Sequence, residues 1–176
     1  SLVEENQLVE VAGQSLEARN LAAHIALTKA RRQHLLSRVI TFHSSVRQAR
    51  QFAENHRDIA SAVGSDPPKA DYVSGEMNSR IRNLRIQELS RADQSSPGLL
   101  SNARCLTEGI DLPSLDAVAF IDPKGSQVDI IQAVGRAIRK NPGKEFGHIV
   151  IPVLVPEAED EVPIDLSEGQ YKTIWA

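Results

Sequence analysis

Gln132, Arg136 and Arg139 form the most chemically loaded spacing in the chain, within Gln132-Ala133-Val134-Gly135-Arg136-Ala137-Ile138-Arg139. On a helix turning about 100° per residue, these three fall within roughly 60° of one another, while Ile130, Val134 and Ile138 point the other way. One face packs and the other presents two guanidiniums and a carboxamide. Arginine is permanently charged and grips phosphate oxygens bidentately, so such a pair suits negative charge developing on a transferring phosphoryl group. Gly135, at the edge of that face, lets a phosphate or another backbone come close. An amphipathic helix with a solvated basic face has the same pattern, and the helix alone does not separate the two readings.

A helix can aim such groups only if something holds it, and the chain supplies strands at suitable intervals. Arg38-Val39-Ile40-Thr41-Phe42 is a β-branched and aromatic run, followed at once by His43-Ser44-Ser45 and a helical stretch from Val46 to about His56. The hydroxyls of Ser44 and Ser45 can cap that helix, whose free amides and positive dipole end make a natural phosphate seat. Plain capping uses the same residues and does not exclude the other use. Asp71 to Gly75 predicts a short strand, and Asn78 to Arg91 a helix with Ile81, Leu84, Ile86 and Leu89 toward the core and its arginines on a solvated face. Leu99 to Asn102 is a brief strand, Ala117 to Ile121 a buried parallel strand ending at Asp122-Pro123, and His148 to Val153 a last strand. The arginine helix spans Gln127 to Lys140. Upstream, a strand is expected at Leu8 to Val11. A helix capped by Ser15 follows to about Leu36, with Ala18, Leu21, Ala22 and Ile25 on its apolar stripe.

Strands alternating with helices predict a doubly wound α/β sheet covered on both faces, whose working loops lie beyond the carboxyl ends of the strands. With 176 residues, one well-buried domain is expected. Aromatics are only 4% of the chain, so base stacking cannot dominate a nucleic-acid contact. The net charge of -3 argues against a protein that coats DNA non-specifically, but basic clusters at 29–50 and 80–91 are offset by an acidic stretch from Glu157 to Glu168. Cys105 is the single cysteine, which excludes an internal disulfide and a cysteine-based metal site, and the five scattered histidines suggest no metal. No apolar run reaches the roughly 18 residues of a membrane span, and a reducing, cytoplasmic setting is expected. A chain beginning at Ser1 without methionine is expected to be a piece of something longer.

Three segments in this order resemble one family. Val39 to Ser45 is similar to motif IV, Ser101-Asn102 with Thr107-Glu108-Gly109-Ile110-Asp111-Leu112-Pro113 to motif V, and Gln132 to Arg139 to motif VI, of the C-terminal RecA-like domain of superfamily-two helicases and translocases. The resemblance covers about Arg38 to Val153. It implies a RecA-like doubly wound, mainly parallel sheet, a P-loop NTPase-like fold without its own phosphate loop. Residues 1–36 would be an N-terminal lead-in and helix, 37–155 the RecA-like domain, and 156–176 an acidic linker or lead-in to a following segment.

The same resemblance implies roles residue by residue. Arg136 and Arg139 would be arginine fingers reaching ATP, with Gln132 positioning phosphate or the attacking water. Gly109, Asp111 and Gly135 would lie at the nucleotide, Asp111 near the ribose or coupling ATP to nucleic acid. Ser44, Ser45 and Ser101 would contact the nucleic-acid backbone. ATP and Mg2+ would be held mainly by an N-terminal RecA-like domain of the same parent chain, which is the implied partner together with nucleic acid, DNA favoured over RNA, and no membrane. Two departures matter. The segment from Ser101 to Gly109 is longer than the DEAD-box pattern, and motif VI opens with glutamine rather than histidine, which points toward DEAH-like or restriction-translocase-like branches.

The chain has no G-x-x-x-x-G-K-[ST] loop: Pro142-Gly143-Lys144-Glu145 puts glutamate where the magnesium-binding hydroxyl belongs. The isolated fragment is therefore expected to hydrolyse ATP negligibly. The competing reading is a non-catalytic α/β module that binds nucleic acid or protein through its basic helices. A dinucleotide fold ranks below both, since no G-x-G-x-x-G follows the first strand.

Overall fold

The computed structural model describes residues 8–11, 14–103, 115–122, 135 and 146–152. Strands β1 (Leu8–Val11) and β2 (Gln14–Glu17) pair antiparallel, with Leu8 opposite Glu17 and Val11 opposite Gln14. Then come α1 (Ala18–His34), β3 (Arg38–His43), α2 (Val46–Ala62), β4 (Lys69–Ser74), α3 (Ser79–Ser90), β5 (Gly98–Ala103), β6 (Ala117–Phe120) and β7 (His148–Val150).

The last five strands form one parallel sheet in the order β4-β5-β3-β6-β7. This is the α/β architecture that the strand and helix alternation predicts, and the RecA-like one that the resemblance implies. All six residues of β5 and all four of β6 are buried; β6 is apolar throughout, as a strand in a sheet covered on both sides requires, while β5 also buries Ser101 and Asn102. Helices α1 and α2 cover one face, where Ala23, Leu27 and Phe52 pack on Val39, Leu99, Ala117 and Ala119. Helix α3 covers the other, where Ile86 and Leu89 pack on Ile40, Val73, Leu100, Val118 and Phe120. Gly98 allows that second contact to be close: a β-carbon there would lie 3.0 Å from Ala92 Cβ and 3.1 Å from Leu89 Cδ1.

Topology locates the working edge. From β3 the chain moves out to β4, returns through β5, and then crosses to the other side of β3 to build β6 and β7. The order reverses between β3 and β6, and in open parallel sheets the crevice for ligands lies outside the carboxyl ends of the strands at such a point. Here those ends are His43-Ser44-Ser45 and Ile121-Asp122.

Three sequence expectations are corrected. Ser15 does not cap α1: it lies within β2, held extended by pairing to β1, and the helix starts three residues later, with extended Glu17 at its N-cap. The stripe Leu21, Ala22 and Ile25 is only half-buried, because α1 packs on α2 as well as the sheet and so buries His24, Thr28 and Arg31 besides Ala23 and Leu27. On α3, Ile81 and Leu84 are 47% and 54% exposed, and Ile86 and Leu89 alone of the four expected positions reach the core.

Candidate functional site at the carboxyl ends of the strands

The turn after β3 is held at both of its serines. Ser45 is the N-cap of α2: its Oγ accepts from the Gln48 amide at 3.2 Å, satisfying one free donor of the first turn. Ser44 Oγ donates to the Asp122 carboxylate, which stands just past β6. The Gln48 carboxamide lies 2.7 Å from Ser44 Oγ and 2.8 Å from Ser45 Oγ. Since Ser44 has one proton and the carboxylate is the stronger acceptor, Gln48 completes the set best with its amide nitrogen toward Ser44. Arg19, in the first turn of α1, reaches the Ile121 carbonyl at 3.3 Å and stands 3.9 Å from Asp122 Oδ1. A guanidinium, a carboxylate and two hydroxyls thus converge where the strand order reverses, beside a helix N-terminus.

Behind the turn lies a polar interior. Thr41 sits opposite Ser101 in the register of β3 and β5, and its hydroxyl donates to Ser101 Oγ at 2.9 Å. His43 Nε2 lies 2.9 Å from the same Thr41 oxygen. The His43 ring packs on Phe52, 4.9 Å between centroids, and Phe52 is stacked on His24 at 3.9 Å. His24 and His56 meet through their Nδ1 atoms at 2.9 Å, so one donates and the other accepts. Burial pushes the pKa of His43 down to about 3, partly opposed by the charge of Asp122. His56 is lowered to about 3 by burial and by Arg31, and His24 is lowered by burial and by its histidine neighbours. All three imidazoles are neutral at physiological pH.

The structure brings Ser44 and Ser45 to the working edge, but not the Ser101 side chain, which is fully buried with its hydroxyl engaged inside the sheet. A phosphate cannot reach that oxygen in this arrangement, because β5 is the strand flanked by β3 and β4 and Ser101 lies in its middle. Gln132, Arg136, Arg139, Gly109 and Asp111 lie outside the described residues. Gly135 is helical and exposed, with open space where a β-carbon would project, as close approach of another group requires. Sequence reasoning missed Thr41, His43, Arg19 and Asp122. Thr41 and His43 were hidden because they read as one β-branched run and its end, whereas Asp122-Pro123, closing an apolar strand, was a visible signal.

Among the described residues no group of three or more His, Cys, Asp or Glu could hold a metal, and no helix is long and apolar enough to cross a membrane.

Solved structures share this fold. The chain superposes on the ATP-dependent Type ISP restriction-modification enzyme LlaBIII, bound to DNA, with a TM-score of 0.71 and 29% identity, covering 89% of this chain and 11% of that one. It superposes on the Escherichia coli DEAD-box protein SrmB with a TM-score of 0.58 and 21% identity, covering 75% of this chain and 71% of that one. In sequence it is 30% identical over 80 residues to IRC3 of Saccharomyces cerevisiae, named as an ATP-dependent helicase, covering 46% of this chain and 11% of that protein. A protein of African swine fever virus named as a helicase is 39% identical over 59 residues, 34% of this chain and 7% of its own length. The chain therefore spans about a tenth of the length of these sequence relatives. Residues 19–141 match the family described as the helicase conserved C-terminal domain. That match begins inside α1, whose Ala23 and Leu27 are part of the core beneath the sheet. The chain belongs to this family, and its fold is the RecA-like one of superfamily-two helicase C-terminal domains.

Proposed function

We infer that this domain is the second half of an ATP-driven nucleic-acid motor, closing on ATP and Mg2+ held mainly by an N-terminal RecA-like domain of the same parent chain. The observation that carries this reading is the family match over 19–141, because it spans all three motif segments in their expected order. In this role Arg136 and Arg139 bring fixed positive charge to the γ-phosphate, Gln132 orients phosphate or water, and Gly109, Asp111 and Gly135 line the nucleotide. ATP supplies the phosphoryl chemistry when bound, and these residues orient it and stabilise its charge.

The nucleic-acid backbone crosses the carboxyl ends of the strands, where Ser44, Ser45 and the first amides of α2 form an anion seat. DNA is the polymer we favour, since LlaBIII, on which 89% of the chain superposes with a TM-score of 0.71, is itself bound to DNA.

The test is ATP turnover by the full-length parent. Arg139→Ala should lower stimulated hydrolysis about a thousandfold or more while DNA binding changes little. Equal turnover in variant and wild type would refute the finger role. The isolated fragment should show no Mg2+-dependent hydrolysis, whereas salt-sensitive DNA binding by a parent without DNA-stimulated ATPase would favour a plain binding module.

A further inference from the structure

Ser101, Thr41 and His43 form a buried chain of hydrogen bonds running from the middle of β5 to the carboxyl end of β3. With Thr41 giving its one hydroxyl proton to Ser101, its contact with His43 requires the imidazole to donate through Nε2–H. A neutral ring has only one N–H, so Nδ1 of His43 carries the lone pair. The groups around the ring favour that neutral form: Phe52 packs against it at a tilt of 50°, His24 lies behind Phe52, and the carboxylate of Asp122 is too weak an influence to offset burial. His43 is therefore held in one tautomer and one orientation, and the next residue along the backbone is Ser44.

Stability does not require this arrangement. Thr41 and Ser101 are both 0% exposed and His43 is 6% exposed, and a valine, an alanine and a leucine in their places would fill much of the same space with no buried polar atom to satisfy. The chain of bonds instead ties two segments that must act together. One end is in β5, the strand that leads into the 104–114 segment carrying Gly109 and Asp111. The other is the residue before the Ser44–Ser45 turn, whose far side is latched by Asp122.

We propose that Thr41 and His43 are positioning residues that fix the Ser44–Ser45 turn relative to β5, so that the hydroxyl of Thr41 sets how tightly the turn engages a DNA phosphate. The role rests on the motor reading above. Neither residue touches the nucleic acid: Thr41 is wholly buried and acts through His43.

The experiment uses the full-length parent with a single-stranded DNA oligonucleotide and compares wild type, Thr41→Val, Thr41→Ser and Ser101→Ala. Thr41→Val keeps the shape and removes the hydroxyl. It should raise the DNA concentration for half-maximal ATPase stimulation about tenfold, with maximal stimulated turnover changed less than about twofold. Thr41→Ser retains the hydroxyl and should restore the wild-type value to within about twofold. Long-range 15N–1H correlation should report the Nε2–H tautomer of His43 in wild type and its loss in Ser101→Ala, which frees the Thr41 proton; this readout stands even if Thr41→Val does not fold. An Nδ1–H tautomer in wild type overturns the proposal, as does equal half-saturation in the valine and serine variants. A wild type whose ATPase ignores DNA overturns the motor reading and this role with it, whereas normal stimulation with no valine effect overturns the role alone.

Discussion

Toward α3 the sheet presents Ile40, Val73, Leu100, Val118 and Phe120, an apolar surface broken by one buried carboxamide, Asn102, beside Phe42 and Val73, whereas toward α1 and α2 it presents Val39, Thr41, His43, Leu99 and Ser101, interrupted by hydroxyls and an imidazole. The helices echo the difference. From α3 come Ile86 and Leu89, while α1 and α2 add His24, Thr28, Arg31 and His56 to their alanines and Phe52. Burial of apolar area stabilises without direction, so the α3 face depends mainly on shape. Buried polar groups stabilise only when each is matched, so the α1/α2 face specifies geometry at some expense in stability. That second face ends at the Ser44–Ser45 turn, which is where geometry matters.

The comparison breaks most directly at Phe120. Its ring is 1% exposed and stacks against Phe42 at 5.4 Å between centroids. Phe120→Ala should lower unfolding free energy by about 3–5 kcal/mol in urea titration, with the m-value unchanged. A loss below about 1 kcal/mol would show that the apolar face is not the main source of stability.

Acid separates the faces next. His43 and His56 have folded pKa values of about 3 and His24 is also depressed, so each is neutral in the fold while its unfolded counterpart gains a proton near pH 6.5. The unfolded state then binds more protons as pH falls, and stability is full above pH 6.5 and lost progressively toward pH 3. By pH 5 each of His43 and His56 should have cost about 2 kcal/mol. Changing His24 and His56 together to leucine should remove their share of the slope and leave that of His43. An acid slope identical to wild type in that double variant would mean that these imidazoles do not set the pH dependence.

How much was visible in the residues follows the same division. The strand Ala117 to Ile121 was legible as a continuous apolar run, which a sheet buried on both faces favours, and Arg38 to Phe42 and Leu99 to Asn102 as β-branched or leucine runs set between turn and helix signals. The serine turn and its cap were legible because capping is local in sequence. The Thr41–Ser101 bond spans 60 positions and Ser44–Asp122 spans 78, so no local pattern could pair them. Ser15 misled for a related reason: a serine before a helical stretch looks like a cap until the pairing of Leu8–Val11 with Gln14–Glu17 takes it into a strand. Ile81 and Leu84 were placed inside because helical spacing shows which residues share a stripe, not how wide the covered stripe is.

The smallest expected effect sharpens the contrast because it belongs to neither face. Leu35 closes α1 with φ of 51°, the left-handed region, and is 68% exposed. A β-carbon is strained there, and the side chain gains little burial in return. Leu35→Gly relieves the strain and loses part of the gain to the freer unfolded chain, for a net stabilisation of roughly 0.5–1 kcal/mol, or about 1–3 °C in Tm. The cap bonds to the Arg31 carbonyl are made by backbone N–H groups of residues 35 and 36 and survive the change. Because the strain is local, the gain should be the same at pH 7 and pH 5, giving a stability curve parallel to wild type. A gain that vanished at pH 5 would mean that the end of α1 is coupled to the buried histidines, and that the polar face extends as one unit from the strand ends to the far end of the helix.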